Sequence, residues 1–513
     1  MTRAFLDALA RVPDLLAAHV LLAAAALVAG LAISLPLAIL SARHAGVARV
    51  TLGFASLVQT IPSLALLALF YPLLLWLSAL VGGGIPALGF LPALLALSLY
   101  ALLPILRNAV TGLAGIDPAI IEAADGVGMT AAQKLRLVEA PLVVPIVMAG
   151  IRTAAVWTIG AATLSTTVGQ PSLGDLIFAG LQTQNWALVL AGCAAAALLA
   201  LVADALLGLI ERGIAMRRRG RIWAGIGLLG AGIALALAPI WAGGGQARTI
   251  TVGAKNFSEQ YVLARVIGHR LEAAGYRVRY REGLGSAVIY QALASGDIDV
   301  YVDYSGTLWT NAMHRTDVPP RPRIVQLVGE WTRQTDGVRL LGALGFENAY
   351  AFAMRSDDAK RRDIATLGDL ARQAPRLTLG SDLEFLERPE WAAVRDAYGL
   401  RFAATQRYTP SFMYRALASG RADVISAFSS DGRIAAQHLT VVSDPKGAIP
   451  GYDAILLLAP KRADDAKIVT ALQPLVGAIP VAAMREANYM VDRDSDKRTP
   501  DAAARWLERT LGL

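Results

Sequence analysis

Apolar residues fill the first half of the chain in long, nearly unbroken runs, and after about Trp241 they give way to short alternating segments. Runs near 19–41, 51–80, 86–106, 141–164, 186–210 and 222–242 are each about 20 residues or longer, which is what a helix needs to cross a hydrocarbon core. The second run is overlong and contains "QTIPS" at Gln59–Ser63, so Pro62 predicts a kink or break there. Arg152 interrupts the fourth run and is predicted to face protein or a water-filled path, not lipid. The first run begins too far along, and is followed by too much apolar chain, to read as a cleaved signal peptide.

Beyond Ala242–Arg248 ("AGGGQAR") the pattern switches between strand and helix periods. "TITVGA" reads as a strand, and "SEQYVLARVIGHRLEAAG" as an amphipathic helix opened by Ser258 and closed by Gly275. "YRVRYREG" is a strand, a helix carrying Tyr290 follows, and "IDVYVDY" is a strand again. This alternation predicts an α/β domain with a mainly parallel sheet. The chain is therefore expected to be multi-domain, with an all-α transmembrane domain of about six helices over 1–246 and a soluble α/β two-lobed domain over 247–513.

Composition adds three constraints. Mean hydropathy is +0.48, which fits a membrane protein. The formal charge of +8 would suit nucleic acid, but the basic residues sit beside the apolar runs and read as topology signals, so no nucleic acid partner is expected. With six spans, Arg43 and Arg49, then Arg107, Lys134 and Arg136, then Arg212, Arg217, Arg218, Arg219 and Arg221, all fall on one side. That side is predicted to be the cytoplasm, which places the α/β domain outside an inner (plasma) membrane. A single cysteine, Cys193, excludes an intrachain disulfide.

Catalytic chemistry is not legible in the sequence. His19, His44, His269, His314 and His438 are scattered without metal-ligand spacing, and Ser286 in "GLGSAV" does not form a nucleophile elbow. No G-x-x-x-x-G-K-[ST] loop occurs, so the chain is not expected to hydrolyse ATP by that route. No cofactor, metal or enzymatic activity is expected.

One phrase is written twice. "YQALASGDIDVYVDYS" (Tyr290–Ser305) returns as "YRALASGRADVISAFS" (Tyr414–Ser429), with Phe428 answering Tyr304. The repetition predicts two equivalent lobes, one over about 249–345 and 453–513 and the other over about 346–452. Open α/β sheets bind ligands at the carboxyl ends of their strands. Tyr290 and Tyr414 on equivalent helices, and Tyr304 and Phe428 at equivalent strand ends, are then expected to face a shared cleft. The bland alternative is that both helix tyrosines only pack helix on sheet. The matched pair and its aromatic neighbours favour the cleft. A hinged clamp of this kind resembles the periplasmic binding proteins.

Two further resemblances are more specific. "EAADGVGMTAAQKLRLVEAP", with Glu122, Ala123, Ala124, then Gly128 and later Val138 and Pro141, is similar to the EAA coupling loop of ABC-importer permeases. The resemblance implies a short cytoplasmic helix pair over 122–141, with Gly128 at a tight turn, docking on a separate ATP-binding subunit. In the second half, "VGAKNFSEQYVLA", "EGLGSAVIYQAL", "VDYSGT", "GFENAYAFAMR" and "SDLEFLERPEW" resemble the substrate-binding domains of osmoprotectant importers for glycine betaine, choline, carnitine or proline betaine. The whole chain thus looks like a type I permease fused to its own binding domain, with two permease halves pairing as a homodimer or with a second permease.

The resemblance carries a site with it. It implies that Lys255 and Arg388 meet the ligand carboxylate, that Tyr290, Tyr350, Tyr414 and Phe428 line an aromatic cage with Tyr304 beside them, and that Asn348 is a polar neighbour. The chemistry is coherent, because a quaternary ammonium donates no hydrogen bond and ring faces are its natural partners, at about 2 kcal/mol or more per desolvated contact. Phe428 and Asn348 stand where relatives often have Tyr and Asp, so no carboxylate is expected to balance a cation at Asn348 unless Asp303 or Asp431 does. That favours a zwitterion over bare choline. Import of another small solute such as an amino acid, or a ligand receptor that does not transport, are the alternatives.

Overall fold

The structure, a computed structural model of the chain, describes residues 2–9, 11–82, 85–182, 185–242, 249–382, 384–493 and 495–513. The chain folds as two compact units, one built from 1–178 and 186–245 and one that includes 246–513.

The second unit contains two five-stranded sheets. Its strands are β1 (Thr249–Lys255), β2 (Arg277–Leu284), β3 (Val300–Tyr304), β4 (Arg339–Glu347), β5 (Tyr350–Arg355), β6 (Thr378–Ser381), β7 (Ala404–Arg407), β8 (Val424–Phe428), β9 (Leu439–Val442) and β10 (Asp453–Leu458). One sheet has the order β2-β1-β3-β10-β4 and the other β7-β6-β8-β5-β9. The two orders are the same pattern, with β1 answered by β6, β3 by β8, β10 by β5 and β4 by β9. The duplicated phrase falls on equivalent elements. Helix Ser286–Ala294 leads into β3 and helix Pro410–Ala418 leads into β8, so Tyr304 and Phe428 both end a central strand.

The sheets are mixed, not mainly parallel. β1 pairs parallel with β2 and β3, while β10 runs antiparallel to both β3 and β4. In the other sheet β6 pairs parallel with β7 and β8, while β5 opposes β8 and β9. β5 and β10 are the two strands the chain forms immediately after crossing from one sheet to the other. Each enters its new sheet from the shared side, so it runs against its neighbours. Their inward positions are continuous apolar runs, with Ala454 to Leu458 fully buried, as expected of a strand covered on both faces.

In the first unit, six described helices are long and apolar enough to cross a membrane: Leu15–Arg43, Ser63–Leu80, Phe90–Ala114, Ala131–Val168, Trp186–Ala215 and Arg219–Ala238. The overlong second run is divided as Pro62 predicts. One helix ends at Thr60, Ile61 is extended (φ −75°, ψ 126°), and a new helix starts at Ser63. The ring of Pro62 drives Ile61 out of the helical region and supplies no N–H, so neither helix continues through it. Where helix Ala140–Ala162 crosses helix Phe90–Ala114, Gly150 permits the contact. A Cβ there would lie 2.6 Å from the Pro104 carbonyl oxygen, and small residues are what allow backbones to approach in a membrane.

Arg152 does face protein. Its Nε and Nη2 donate to the two carboxylate oxygens of Asp204 at 2.9 and 2.8 Å, and Nη1 donates to Glu211 at 2.7 Å. Asp204 and Glu211 are two helical turns apart on one face of helix Trp186–Ala215, and one planar guanidinium bridges both.

The segment resembling a coupling loop forms two short helices. Asp117 caps helix Pro118–Gly126 by accepting from Ala119 N at 2.9 Å. Gly128 then turns the chain in the left-handed region (φ +77°), and Met129 N bonds back to Ala124 O at 3.1 Å. Thr130 and Gln133 form a reciprocal capping box that starts helix Ala131–Lys134, which passes through a π turn at Leu135–Glu139 into the next span, with Pro141 in its first turn. Lys134 pairs with Asp125 at 2.6 Å and ties the two helices together. Glu122 and Ala123 are exposed and Ala124 is buried, while Val127 and Leu137 are 73% and 62% exposed.

Removing the guanidinium would leave two carboxylates together within the span. Arg152→Met is expected to destabilise the detergent-solubilised chain by roughly 2–3 kcal/mol, and Asp204→Asn by less, because Glu211 still holds the arginine. Thermal unfolding of the two variants checks this ranking, and equal losses would contradict it.

Candidate functional site

The carboxyl ends of β1, β3, β6 and β8, and the two crossings between sheets, bring aromatic side chains together. Phe257 follows β1, Tyr304 ends β3, Phe428 ends β8, Tyr350 opens β5, and Tyr452 lies just before β10. In the sheet, Tyr350 pairs directly with Phe428. The rings form a continuous chain with a cation at each end. Lys255 Nζ lies 5.2 Å from the Tyr304 ring centroid, Tyr304 is 6.1 Å from Phe257, Phe257 is 6.4 Å from Phe428, Phe428 is 5.0 Å from Tyr350, and the Arg388 guanidinium is 5.3 Å from Tyr350. Tyr452 meets Tyr350 edge-on at 6.1 Å, and Phe385 packs behind it at 4.8 Å.

The two cations come from equivalent places. Lys255 ends β1, and Arg388 stands in the loop after β6, at the cap of helix Pro389–Tyr398. Both are buried and both are paired. Lys255 donates to Asp303, which also accepts from the Tyr301 hydroxyl at 2.5 Å and from Tyr304 N at 2.7 Å. Arg388 donates to both oxygens of Glu390, at 3.0 and 3.2 Å, and Glu390 accepts in addition from the hydroxyls of Tyr452 and Thr310. A third buried cation, Arg433, holds Asp431 at 2.6 Å and lies 3.6 Å from Asp492. Burial of a charge is tolerated only with such partners.

Glu259 differs from the other acids. It lies in the first turn of helix Ser258–Ala273 and is 3% exposed. Its hydrogen-bond partners are neutral: the Tyr304 hydroxyl at 2.6 Å, Asn348 Nδ2 at 3.2 Å, Asn488 Nδ2 at 2.7 Å, and Ser430. Burial pushes its pKa above the ordinary glutamate value, against the pull of those donors. Burial raises Asp492 as well. A carboxylate is therefore present beside Asn348 after all. Neither Asp303 nor Asp431 supplies it, since Lys255 and Arg433 engage those two.

A cavity of about 60 Å³ opens among Phe257, Glu259, Asn348, Phe428, Arg433 and Asn488. Phe257 and Phe428 are nearly parallel, 3° apart in plane, where they border it.

Of the residues that the sequence singled out, Lys255, Tyr304, Asn348, Tyr350, Arg388 and Phe428 are brought together. Tyr290 and Tyr414 are not. Tyr290 stacks on Trp331 at 5.8 Å and donates to Asp336 at 2.8 Å, within its own lobe. Tyr414 is 1% exposed in a core with Met413, Leu417 and Ile425, with the Arg433 guanidinium 4.1 Å over its ring. Their repetition reflects equivalent helix-on-sheet packing. The sequence reading missed Phe257, Glu259, Tyr452 and Asn488. Phe257 and Glu259 were signalled by their position just past a strand end, and Tyr452 by an aromatic in the turn "IPGYD". Asn488 had no local signal, since it is 229 residues from its partner Glu259.

Two family descriptions match the two halves of the chain. Residues 248–509 match the substrate-binding domain of ABC-type glycine betaine transport systems. Residues 34–216 match the inner membrane component of binding-protein-dependent transport systems. The chain is 29% identical over 481 residues to the ergothioneine transport permease/ergothioneine binding protein EgtU of Helicobacter pylori, an alignment that covers 90% of this chain and 83% of the relative. Its membrane half is 40% identical over 194 residues to the glycine betaine/carnitine/choline transport permease OpuCB of Bacillus subtilis, covering 38% of this chain and 84% of that one. Among solved structures, a glycine betaine/carnitine/choline ABC transporter protein is 25% identical with a TM-score of 0.45, covering 51% of this chain and 98% of the other. With both halves matched and in this order, the chain belongs to the osmoprotectant-type ABC importers, as a permease fused to a glycine betaine-type substrate-binding domain.

Proposed function

We propose that this chain imports a small trimethylammonium zwitterion of the betaine class, driven by ATP hydrolysed on a separate cytoplasmic subunit. The single observation that carries the ligand assignment is the chain of ring faces running from Lys255 to Arg388 past the Glu259 carboxylate. A trimethylammonium group offers no N–H, so it gains from ring faces and from a carboxylate held by neutral partners. The remaining donors of Lys255 and Arg388 suit a ligand carboxylate. The sheet crossings at Asn348–Ala349 and before Tyr452 provide the hinge about which two lobes close on it. A second reading, import of an ergothioneine-like ligand, is favoured by the extent of the similarity to the Helicobacter pylori protein. Ergothioneine is itself a trimethylammonium betaine, so both readings use the same cage.

The basic clusters put the helix pair at 118–139 in the cytoplasm and the binding domain outside. Glu122, Ala123, Ala124, Gly128 and Pro141 then belong to the surface that docks the ATPase, and two copies of the membrane unit, or one with a second permease, enclose the path. Accumulation of labelled betaine in vesicles that contain this chain and its ATPase, with ATP and not without it, is the direct test.

At Gly128 a Cβ would meet nothing within 4 Å. Gly128→Trp is therefore expected to cost the chain only about 1–2 kcal/mol of backbone strain while placing a large ring on the docking surface. Uptake and ligand-stimulated ATPase should be lost and ligand binding kept. Loss of binding in a folded variant would contradict the assignment.

Tyr350→Ala, Phe428→Ala and Tyr452→Ala should each weaken betaine binding by roughly 1–2 kcal/mol, about five- to thirtyfold in Kd. Tyr290→Ala should leave Kd unchanged and lower stability by roughly 3 kcal/mol. Calorimetry and thermal melts separate the two effects.

Glu259 also predicts a pH dependence. Its raised pKa means that it takes up a proton at a higher pH than a free glutamate, and protonation removes the charge that a bound cation favours. Betaine affinity should fall on acidification through that range. Burial raises Asp492 as well, so the contribution of Glu259 is the difference between wild type and Glu259→Gln, whose profile should be flatter. Parallel profiles would contradict this role for Glu259.

A further inference from the structure

The break at Pro62 leaves polar backbone inside the membrane unit. In an unbroken helix the N–H groups of Ser63, Leu64 and Ala65 would bond to the carbonyls of Gln59, Thr60 and Ile61. Here helix Ala45–Thr60 ends and helix Ser63–Leu80 starts anew, with no side-chain cap. The Tyr100 hydroxyl takes over the Ile61 carbonyl. Among the described residues nothing takes over the other two carbonyls or the three N–H groups. The Thr60 hydroxyl does not help, since it donates to the Leu57 carbonyl at 2.7 Å.

The break also sits at mid-depth. Tyr100 meets it from helix Phe90–Ala114, ten residues after Phe90 and fourteen before Ala114, and Gln59 Nε2 donates to the Tyr100 carbonyl at 3.4 Å. That contact covers one side. The other side is open: Thr60 and Pro62 are exposed, and the flanking Leu57 and Leu64 are 61% and 48% exposed. Lipid offers no donor or acceptor, so non-helical backbone at this depth stands only where protein buries it or water reaches it. An apolar helix face of a second permease would leave the same groups unpaired. Two copies paired about an axis along the membrane normal set equal depths opposite each other, so each break would face the other across that axis. Water and a passing solute between them supply the partners that the chain lacks.

We propose that the break at Gln59–Ser63 lines the aqueous path by which the solute crosses the membrane, with Thr60 and Leu64 on the wall of that path at mid-depth. The inference rests on the import reading above and adds the place in the membrane unit where the solute passes. The wall offers carbonyls from one half-helix and N–H groups from the next, so a zwitterion that sheds water there meets a partner for each charge.

The test uses the full chain with its exposed native cysteine removed, as Cys193→Ser. Thr60→Cys and Leu64→Cys, one on each side of the break, are placed in this background. Leu228→Cys, 55% exposed in the middle of helix Arg219–Ala238, reports the reactivity of an apolar face. The probe is methanethiosulfonate ethyltrimethylammonium, a permanently charged thiol reagent that carries a trimethylammonium group and reaches cysteines through water. Labelling is followed by mass spectrometry in lipid nanodiscs, which open both membrane faces to the reagent. Uptake of labelled betaine is measured in vesicles with the ATPase, before and after labelling. Thr60→Cys and Leu64→Cys are expected to react at least about tenfold faster than Leu228→Cys. Labelling either is expected to remove most of the uptake and to leave betaine binding unchanged. One of the two suffices if the other does not assemble. Reaction as slow as that of Leu228→Cys sets the break against protein or lipid, and uptake that survives complete labelling sets the path elsewhere. Either result overturns the inference and leaves import standing. If the unlabelled Cys193→Ser chain takes up nothing with ATP, the import reading itself falls, and this inference with it.

Discussion

The organisation of this protein depends on how it keeps charge out of water. In the binding domain Lys255, Arg388 and Arg433 are all buried and each has a carboxylate of its own. In the membrane unit Arg152 spans two carboxylates on the facing helix. Such pairs add little net stability compared with apolar packing, but breaking one is expensive. They therefore fix which side chains stand where. Glu259 is held by neutral donors instead, and the proposed function sets the incoming cation beside it.

Duplication puts these groups in position. Two sheets with the same strand order face each other through the ends of β1 and β3 in one and β6 and β8 in the other. The end of β1 and the start of the helix that follows it deliver Lys255, Phe257 and Glu259, and the segment after β6 delivers Phe385 and Arg388. The crossings add Asn348, Tyr350 and Tyr452. In the proposed closure these crossings act as the hinge, so the ring contacts around Tyr350 would change as the lobes move.

Local signals in the sequence carried much of this. Pro62 has one steric consequence whatever surrounds it, and the helix breaks there. Gly128 takes the left-handed turn expected of it. The apolar runs became the six long helices. The antiparallel placement of β5 and β10 was not legible, since strand order depends on where the chain crosses, not on any strand's own residues. The site divided in the same way. Lys255, Tyr304, Tyr350, Arg388 and Phe428 lie at strand ends or in the loops beside them and converge. Tyr290 and Tyr414 repeat for a reason that spacing alone cannot separate from ligand binding, namely equivalent packing of a helix on its sheet. Asn488 joins Glu259 from the far end of the chain, and only the fold brings the two together.

The central claim is that ring faces and the Glu259 carboxylate recognise positive charge in a methylated head group, and not merely its bulk. The most direct test compares glycine betaine with 3,3-dimethylbutanoate, which replaces the ammonium nitrogen by carbon and keeps shape and carboxylate. Calorimetric titration of the full chain should give at least about tenfold tighter binding for the charged ligand, in line with a desolvated cation–π contact of roughly 2 kcal/mol. Equal affinity for the two, or tighter binding of the carbon analogue, would contradict it.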